Sequence, residues 1–131
     1  MLSHVTIGTN DLARAKAFYE RVIGTLGIGC IADEPEHGLA GYAKTLESTP
    51  QVYLTRPVDG RPATVGNGQT VAFVAKDRAT VRAFHAAALA AGGTCEGPPG
   101  LRPHYHAHYY GAYLRDLNGH KIACACHLSD A

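Results

Sequence analysis

The sequence predicts an α+β fold of two tandem βαβββ modules with pseudo-two-fold symmetry, forming a curved sheet around a cleft. Three observations carry that expectation. A short strand, a helix cap and an apolar helical stripe recur at an offset of 66 residues without a gap, so Asp11 matches Asp77, Ala17 matches Ala83, Phe18 matches Phe84 and Gly27 matches Gly93. Each helical stripe is followed by short strand-like runs. The chain closes on a hairpin signal, in which Tyr109–Arg115 and Ile122–His127 flank Asp116, Leu117, Asn118 and Gly119.

The elements follow in order. His4–Gly8 alternates, with Val5 and Ile7 on one face and His4 and Thr6 on the other. Asn10 or Asp11 can cap a helix whose stripe is Leu12, Ala15, Phe18, Tyr19, Val22 and Ile23, ended by Gly24 and Gly27. Ile28–Ala32 can form a strand, Asp33–His37 reads as a polar loop, and Leu39–Thr45 and Gln51–Thr55 read as strands around a turn at Ser48, Thr49 and Pro50. Pro57–Gly68 is rich in proline and glycine and reads as a linker. The second half opens with a strand at Thr70–Ala75 and a cap at Asp77. Its stripe is Val81, Phe84, Ala88 and Leu89, stopped by Gly92-Gly93. A short strand near Thr94–Glu96 precedes a Pro-rich loop, Gly97–Pro103, and the closing hairpin. The expectation is a single domain over residues 1–131, with module one at about 1–58, a linker at about 59–68 and module two at about 69–131.

Composition narrows the function classes. Apolar residues make up 46% of the chain and charged residues 18%, enough for a packed core and against disorder. A net charge of +1 gives no electrostatic case for nucleic acid or an anionic membrane surface. No apolar run reaches a membrane span, and the N-terminus lacks a signal-peptide pattern. Cys30, Cys95, Cys124 and Cys126 form no C-x-x-C and no zinc-knuckle spacing, so reduced thiols in a cytoplasmic protein are expected.

The stretches HVTIGTNDL with FYERVIG, TVAFVAKD, and the closing hairpin resemble the vicinal-oxygen-chelate superfamily of glyoxalase I, bleomycin-resistance proteins and extradiol dioxygenases. In that family the hairpin reads Asp-Pro-Asp-Gly, two residues, Ile, Glu. Here it runs Asp116, Leu117, Asn118, Gly119, His120, Lys121, Ile122, Ala123, so the turn is kept and the Glu is absent.

The resemblance implies a site. Metal-using relatives converge four strand positions on one divalent ion, a Lewis acid for substrate oxygens. Carried over, those positions are His4, Tyr53, Thr70 and Ala123, of which only His4 is a good ligand. The ordinary alternative for His4 is a polar residue hydrogen-bonded at a strand start. No metal is therefore expected; a divalent ion (Ni, Mn, Fe or Zn) is the alternative. Tyr53 and Thr70 still offer hydroxyls to a ligand. Further on, His104, His106 and His108 alternate, and in an extended chain they would share one face and could hold zinc or nickel. The simpler reading is a polar, aromatic rim in which Tyr105, Tyr109, Tyr110 and Tyr113 offer stacking surface and hydroxyl tips to flat or amphipathic ligands. Arg102 and Arg56 can pair a carboxylate or remain solvated charges. His85 and His127 have no nameable partner.

Two functions compete. One is a metal-free small-molecule binding protein with Tyr53, Thr70, Tyr105, Tyr109 and Arg102 as binding residues. The other is a metal-dependent lyase or dioxygenase-like oxidoreductase of the glyoxalase I type, using His4 and unplaced ligands. Catalytic residues are not identified. A homodimer is expected, partly because Leu39–Ala43 and Val52–Thr55, read as edge-forming strands, carry no charge.

Overall fold

The computed structural model describes residues 1–130; Ala131, the last residue of the expected second module, lies outside the described residues. The chain divides into two compact units, Met1–Thr64 and Val65–Ala131. Each holds one four-stranded sheet and one long helix.

In the first unit, strand β1 (His4–Gly8) leads to helix α1 (Leu12–Val22) and strands β2 (Gly29–Glu34), β3 (Leu39–Ala43) and β4 (Gln51–Thr55). The sheet order is β1-β4-β3-β2, with β1 parallel to β4 and the other pairs antiparallel. Burial alternates along β4, where Val52 and Leu54 are covered and Gln51, Tyr53 and Thr55 are not. That two-residue period is what one covered sheet face requires. Asp11 caps α1 by accepting from the Arg14 backbone N–H at 3.1 Å. Leu12, Ala15, Phe18, Tyr19 and Val22 form its buried stripe. The α-helical turns stop at Val22, just before the Gly24–Gly27 stretch expected to end the helix. It tightens into a 3₁₀ turn, Ile23–Leu26, and ends at Gly27, whose φ of 77° is left-handed. Tyr42 is fully buried and donates its hydroxyl to Glu20 at 2.8 Å. Burial, aided by that bond, pushes its phenol well above the ordinary range.

The second unit repeats the plan with β5 (Val71–Val74), α2 (Arg78–Ala90), β6 (Thr94–Leu101), β7 (Tyr110–Arg115) and β8 (Lys121–Cys126), in sheet order β5-β8-β7-β6. Asp77 caps α2 at the Thr80 N–H, 2.8 Å away. Phe18 and Phe84 are each the seventh residue of their helix, and both are buried. Leu89 leaves the expected stripe and is 42% exposed. At about 100° per residue it sits a quarter-turn or more from the axis of Val81, Phe84 and Ala88.

Strand β6 differs most from expectation. It runs eight residues, through Pro98 and Pro99, where a loop was expected. Because β6 is an edge strand, proline costs it no ladder bond on its open side. Register shifts at Cys95/Gly97 and Gly97/Gly100 absorb the irregularity. At the closing hairpin, Gly119 alone among the turn residues takes a positive φ, 94°, and Asn118 does not. The buried Asp116 carboxylate orders the turn, accepting from the Asn118 and His120 N–H groups at 2.9 Å each.

The charge-free stretches Leu39–Ala43 and Val52–Thr55 are not edges. They are β3 and most of β4, the two interior strands, where both backbone sides are paired and burial excludes charge. The edges are β1 and β2, and the last two residues of β2 are Asp33 and Glu34. Among the described residues, no helix is long and apolar enough to cross a membrane.

Candidate functional site

Strand parity places the candidate residues on the sheet faces away from the helices. In the first unit, His4 lies opposite Gln51, and Thr6 opposite Tyr53. These four therefore share a face, while Ile7, Val52 and Leu54 fill the core behind it. His4 meets Tyr53 edge-on with ring centroids 5.7 Å apart. The Tyr53 hydroxyl donates to Gln51 Oε1 at 2.7 Å, and Ser3 Oγ lies 3.0 Å from His4 Nδ1. Tyr53 can lie across the sheet because its partner in β3 is Gly41. A Cβ on Gly41 would stand 2.5 Å from Tyr53 Cε1.

In the second unit, Ala123 lies between Ala72 and Tyr113 and is only 1% exposed. Continuing the β5 register, Thr70 falls opposite Lys121, on the same face and two residues from Ala123. The exposed Thr70 hydroxyl and the Ala123 methyl thus occupy one face, as His4 and Tyr53 do in the first unit.

A tyrosine cluster dominates this second face. The Tyr109 and Tyr113 hydroxyls are 2.9 Å apart, and the Tyr105 ring packs on Tyr109 at 4.9 Å. Glycine again makes room, since a Cβ on Gly111 would meet Tyr109 Cε1 at 2.8 Å. Burial, with the hydrogen bond shared with Tyr109, raises the Tyr113 phenol above its ordinary value. Two cations flank the Tyr113 ring, Lys121 Nζ at 5.4 Å and the Arg102 guanidinium at 5.6 Å from its centre. Arg102 also donates to the Pro98 and Gly100 carbonyls at 2.8 and 2.9 Å, which fixes it against β6.

Tyr110 does not join this rim. It alternates to the helix side with Ala112 and Leu114, where Arg78 and Arg82 lie 5.3 and 5.9 Å from its ring centre. The histidines also depart from an extended row. The chain there forms turns, closed by Tyr105 N–H to Arg102 O at 3.0 Å and Tyr109 N–H to His106 O at 3.2 Å. His104 packs on Tyr105 at 4.3 Å. His106 turns instead to His127, with Nε2 and Nδ1 2.9 Å apart and rings stacked at 5.1 Å. His127, one step beyond β8, has the parity of Ala123 and Ala125 and meets the Tyr109 ring edge-on at 5.2 Å. Parity alone could have put His127 on this face; its partner, held by a turn 21 residues earlier, carried no sequence signal. Arg56 lies elsewhere, donating to the Pro35 carbonyl at 3.2 Å beside an open cavity of about 340 Å³ at the N-terminus of α1.

The donor set does not fit a divalent ion at the family positions. They carry one imidazole, one phenol already donating to Gln51, one alcohol and one methyl. A stable site uses three or more good protein ligands. Among the described residues, the one group of three ligating side chains is Glu34, Glu36 and His37, on the exposed β2–β3 turn.

The sequence profile of the Glyoxalase/Bleomycin resistance protein/Dioxygenase superfamily matches residues 1–124. A search of the curated proteins finds no match. Among solved structures, a glyoxalase/bleomycin resistance protein from Albidiferax ferrireducens T118 is 43% identical, with a TM-score of 0.81 over 96% of this chain and 98% of that one. A glyoxalase/bleomycin resistance protein/dioxygenase family enzyme from Burkholderia phytofirmans PsJN is 22% identical, with a TM-score of 0.72 over 96% and 98%. A lactoylglutathione lyase from Agrobacterium tumefaciens is 20% identical, with a TM-score of 0.66 over 96% and 92%; at this identity the last two speak for the fold alone. With the profile spanning nearly the whole chain and a 43% identical relative covered almost end to end, the protein belongs to the Glyoxalase/Bleomycin resistance protein/Dioxygenase superfamily.

Proposed function

We propose that this protein binds a small organic molecule on the helix-free faces of its sheets, without a functional metal site. The observation that carries the reading is the cluster of Tyr105, Tyr109 and Tyr113 beside Arg102 and Lys121. Rigid aromatic surface with hydroxyl tips favours a flat ligand, and the two cations favour one bearing a carboxylate. On the second unit's face Thr70 supplies a further hydroxyl, and on the first unit's face Tyr53 offers one beside His4. The donor set at His4, Tyr53, Thr70 and Ala123 supports the metal-free part, because a methyl stands where relatives use Glu.

Seven tyrosines and no tryptophan make tyrosine emission a direct reporter. Titration with a panel of aromatic carboxylates, including 2-naphthoate and 4-hydroxybenzoate, should give saturable quenching. Tyr109→Ala should weaken it about tenfold, roughly 1.4 kcal/mol. No saturable member in the panel, or binding indifferent to Tyr109→Ala, overturns the reading.

The reading includes a cytoplasmic homodimer. A two-fold dimer is the commonest closed assembly, and each sheet has two edge strands whose outer backbone groups a second chain can pair. Light scattering should give about twice the 13.8 kDa chain mass; a clean monomer at micromolar concentration rules the dimer out.

A further inference from the structure

We propose that Cys95 and His85 form a thiol–imidazole dyad, a modification site at which a small hydroperoxide oxidises the Cys95 sulfur. His85 projects from α2 and places Nε2 3.2 Å from Cys95 Sγ on β6. Cys95 pairs with the buried Leu114, so it lies on the helix side of the sheet, away from the Tyr109 and Tyr113 face. Because β6 is the edge strand, the thiol is exposed there. It therefore combines solvent access with a neighbouring base.

The other thiols lack that combination. Cys124 and Cys126 are buried on interior strand β8, and burial pushes Cys124 up to about 12. Cys30 is exposed, but it donates to the Ala32 carbonyl at 3.4 Å, and Lys16, close enough to interact with its charge, is an ammonium held by Asp33 at 2.7 Å; neither the carbonyl nor the ammonium takes the thiol proton. Partial burial lowers His85 below its ordinary value, so near neutral pH the ring keeps a free lone pair. The charged residues beside the pair on its two elements, Glu96 next to Cys95 in β6 and Arg82 three residues before His85 in α2, are already engaged. Glu96 is held by Arg115 at 2.7 Å, and Arg82 on α2 donates to the Tyr110 hydroxyl at 3.3 Å.

The step balances without a further reagent. The imidazole takes the thiol proton, and the thiolate sulfur attacks one peroxide oxygen. The S–O bond forms as the O–O bond breaks, and the departing oxygen, hydroxide from hydrogen peroxide or alkoxide from an organic hydroperoxide, takes the proton from the imidazolium and leaves as water or the alcohol. Sulfur is oxidised to a sulfenic acid and the peroxide is reduced. Exposed on an edge strand, the thiol is directly reached by a small, diffusible electrophile.

The test uses the full chain, hydrogen peroxide and a sulfenic-acid trap, with labelling at Cys95 and Cys30 compared by mass spectrometry between about pH 6 and pH 9. At about pH 7, Cys95 should label about fivefold faster than Cys30, with the difference shrinking toward pH 9 as ordinary thiols ionise. His85→Gln should bring Cys95 down to the Cys30 rate while Cys124 and Cys126 stay protected, which reports an intact fold. Equal rates at Cys95 and Cys30 in the unaltered protein overturn the proposal without reference to any variant. A fast Cys95 that is unchanged by His85→Gln in the folded protein overturns the dyad.

Discussion

Replacing Gly41 by alanine tests how the first sheet face is built. The new Cβ would stand 2.5 Å from Tyr53 Cε1 and 2.9 Å from Cδ1, against an ordinary carbon–carbon contact of about 3.5–4.0 Å. The ring must then move by about 1 Å or more. That movement breaks the 2.7 Å bond to Gln51, worth about 1 kcal/mol, and the edge contact with His4, worth about 0.5–1 kcal/mol. Alanine returns about 0.5–1 kcal/mol by restricting the unfolded chain, since the φ of Gly41 is not left-handed. The net loss should be about 1 kcal/mol, a fall of about 3–5 °C in Tm by calorimetry. Tyr53→Ala removes the obstacle, so adding Gly41→Ala in that background should be neutral or stabilising. The pair should be non-additive by about 1 kcal/mol or more in urea unfolding. Additivity within about 0.3 kcal/mol would refute the packing of Tyr53 over Gly41.

Two further outcomes follow from the cores. Burial raises Cys124 from its ordinary 9.0 to about 12, so its contribution is complete below about pH 9 and is lost as pH rises toward the folded value. At pH 10 the loss should be about 1.4 kcal/mol, and Cys124→Ala should flatten the stability profile between about pH 8.5 and 10; parallel profiles would contradict it. Phe84→Ala should cost about 3–5 kcal/mol in denaturant unfolding, because the ring is fully buried and lies 5.8 Å from Phe73; a loss under about 1 kcal/mol would contradict that packing.

Where a single period rules, the sequence was readable. The alternation along Gln51–Thr55 and the stripe from Leu12 to Val22 both reach the structure unchanged, because one face of each is buried. The 66-residue offset was readable for the same reason: caps and core aromatics at Asp11, Phe18, Asp77 and Phe84 answer to local geometry. Strand β6 was not, because proline and glycine read as loop unless the strand is known to be an edge. Tyr110 and Tyr113 could have been separated by parity once the register of the closing hairpin was known. The pairs His106–His127 and His85–Cys95 could not, since each depends on a turn or a bulge whose geometry is set by tertiary packing. Gly41 and Gly111 were legible in kind, as glycine inside a strand signals a close approach, but not in partner.

Metal content tests most directly the proposal that this member of the superfamily binds its ligand without a metal. Protein purified without a His-tag, dialysed and analysed for Ni, Mn, Fe and Zn should carry well under one equivalent of any of them per chain. That result follows from the donors at His4, Tyr53, Thr70 and Ala123, which supply one imidazole and no carboxylate. One firmly bound ion per chain, retained through dialysis and lost in His4→Ala, would contradict the account and favour a metal-dependent lyase or dioxygenase.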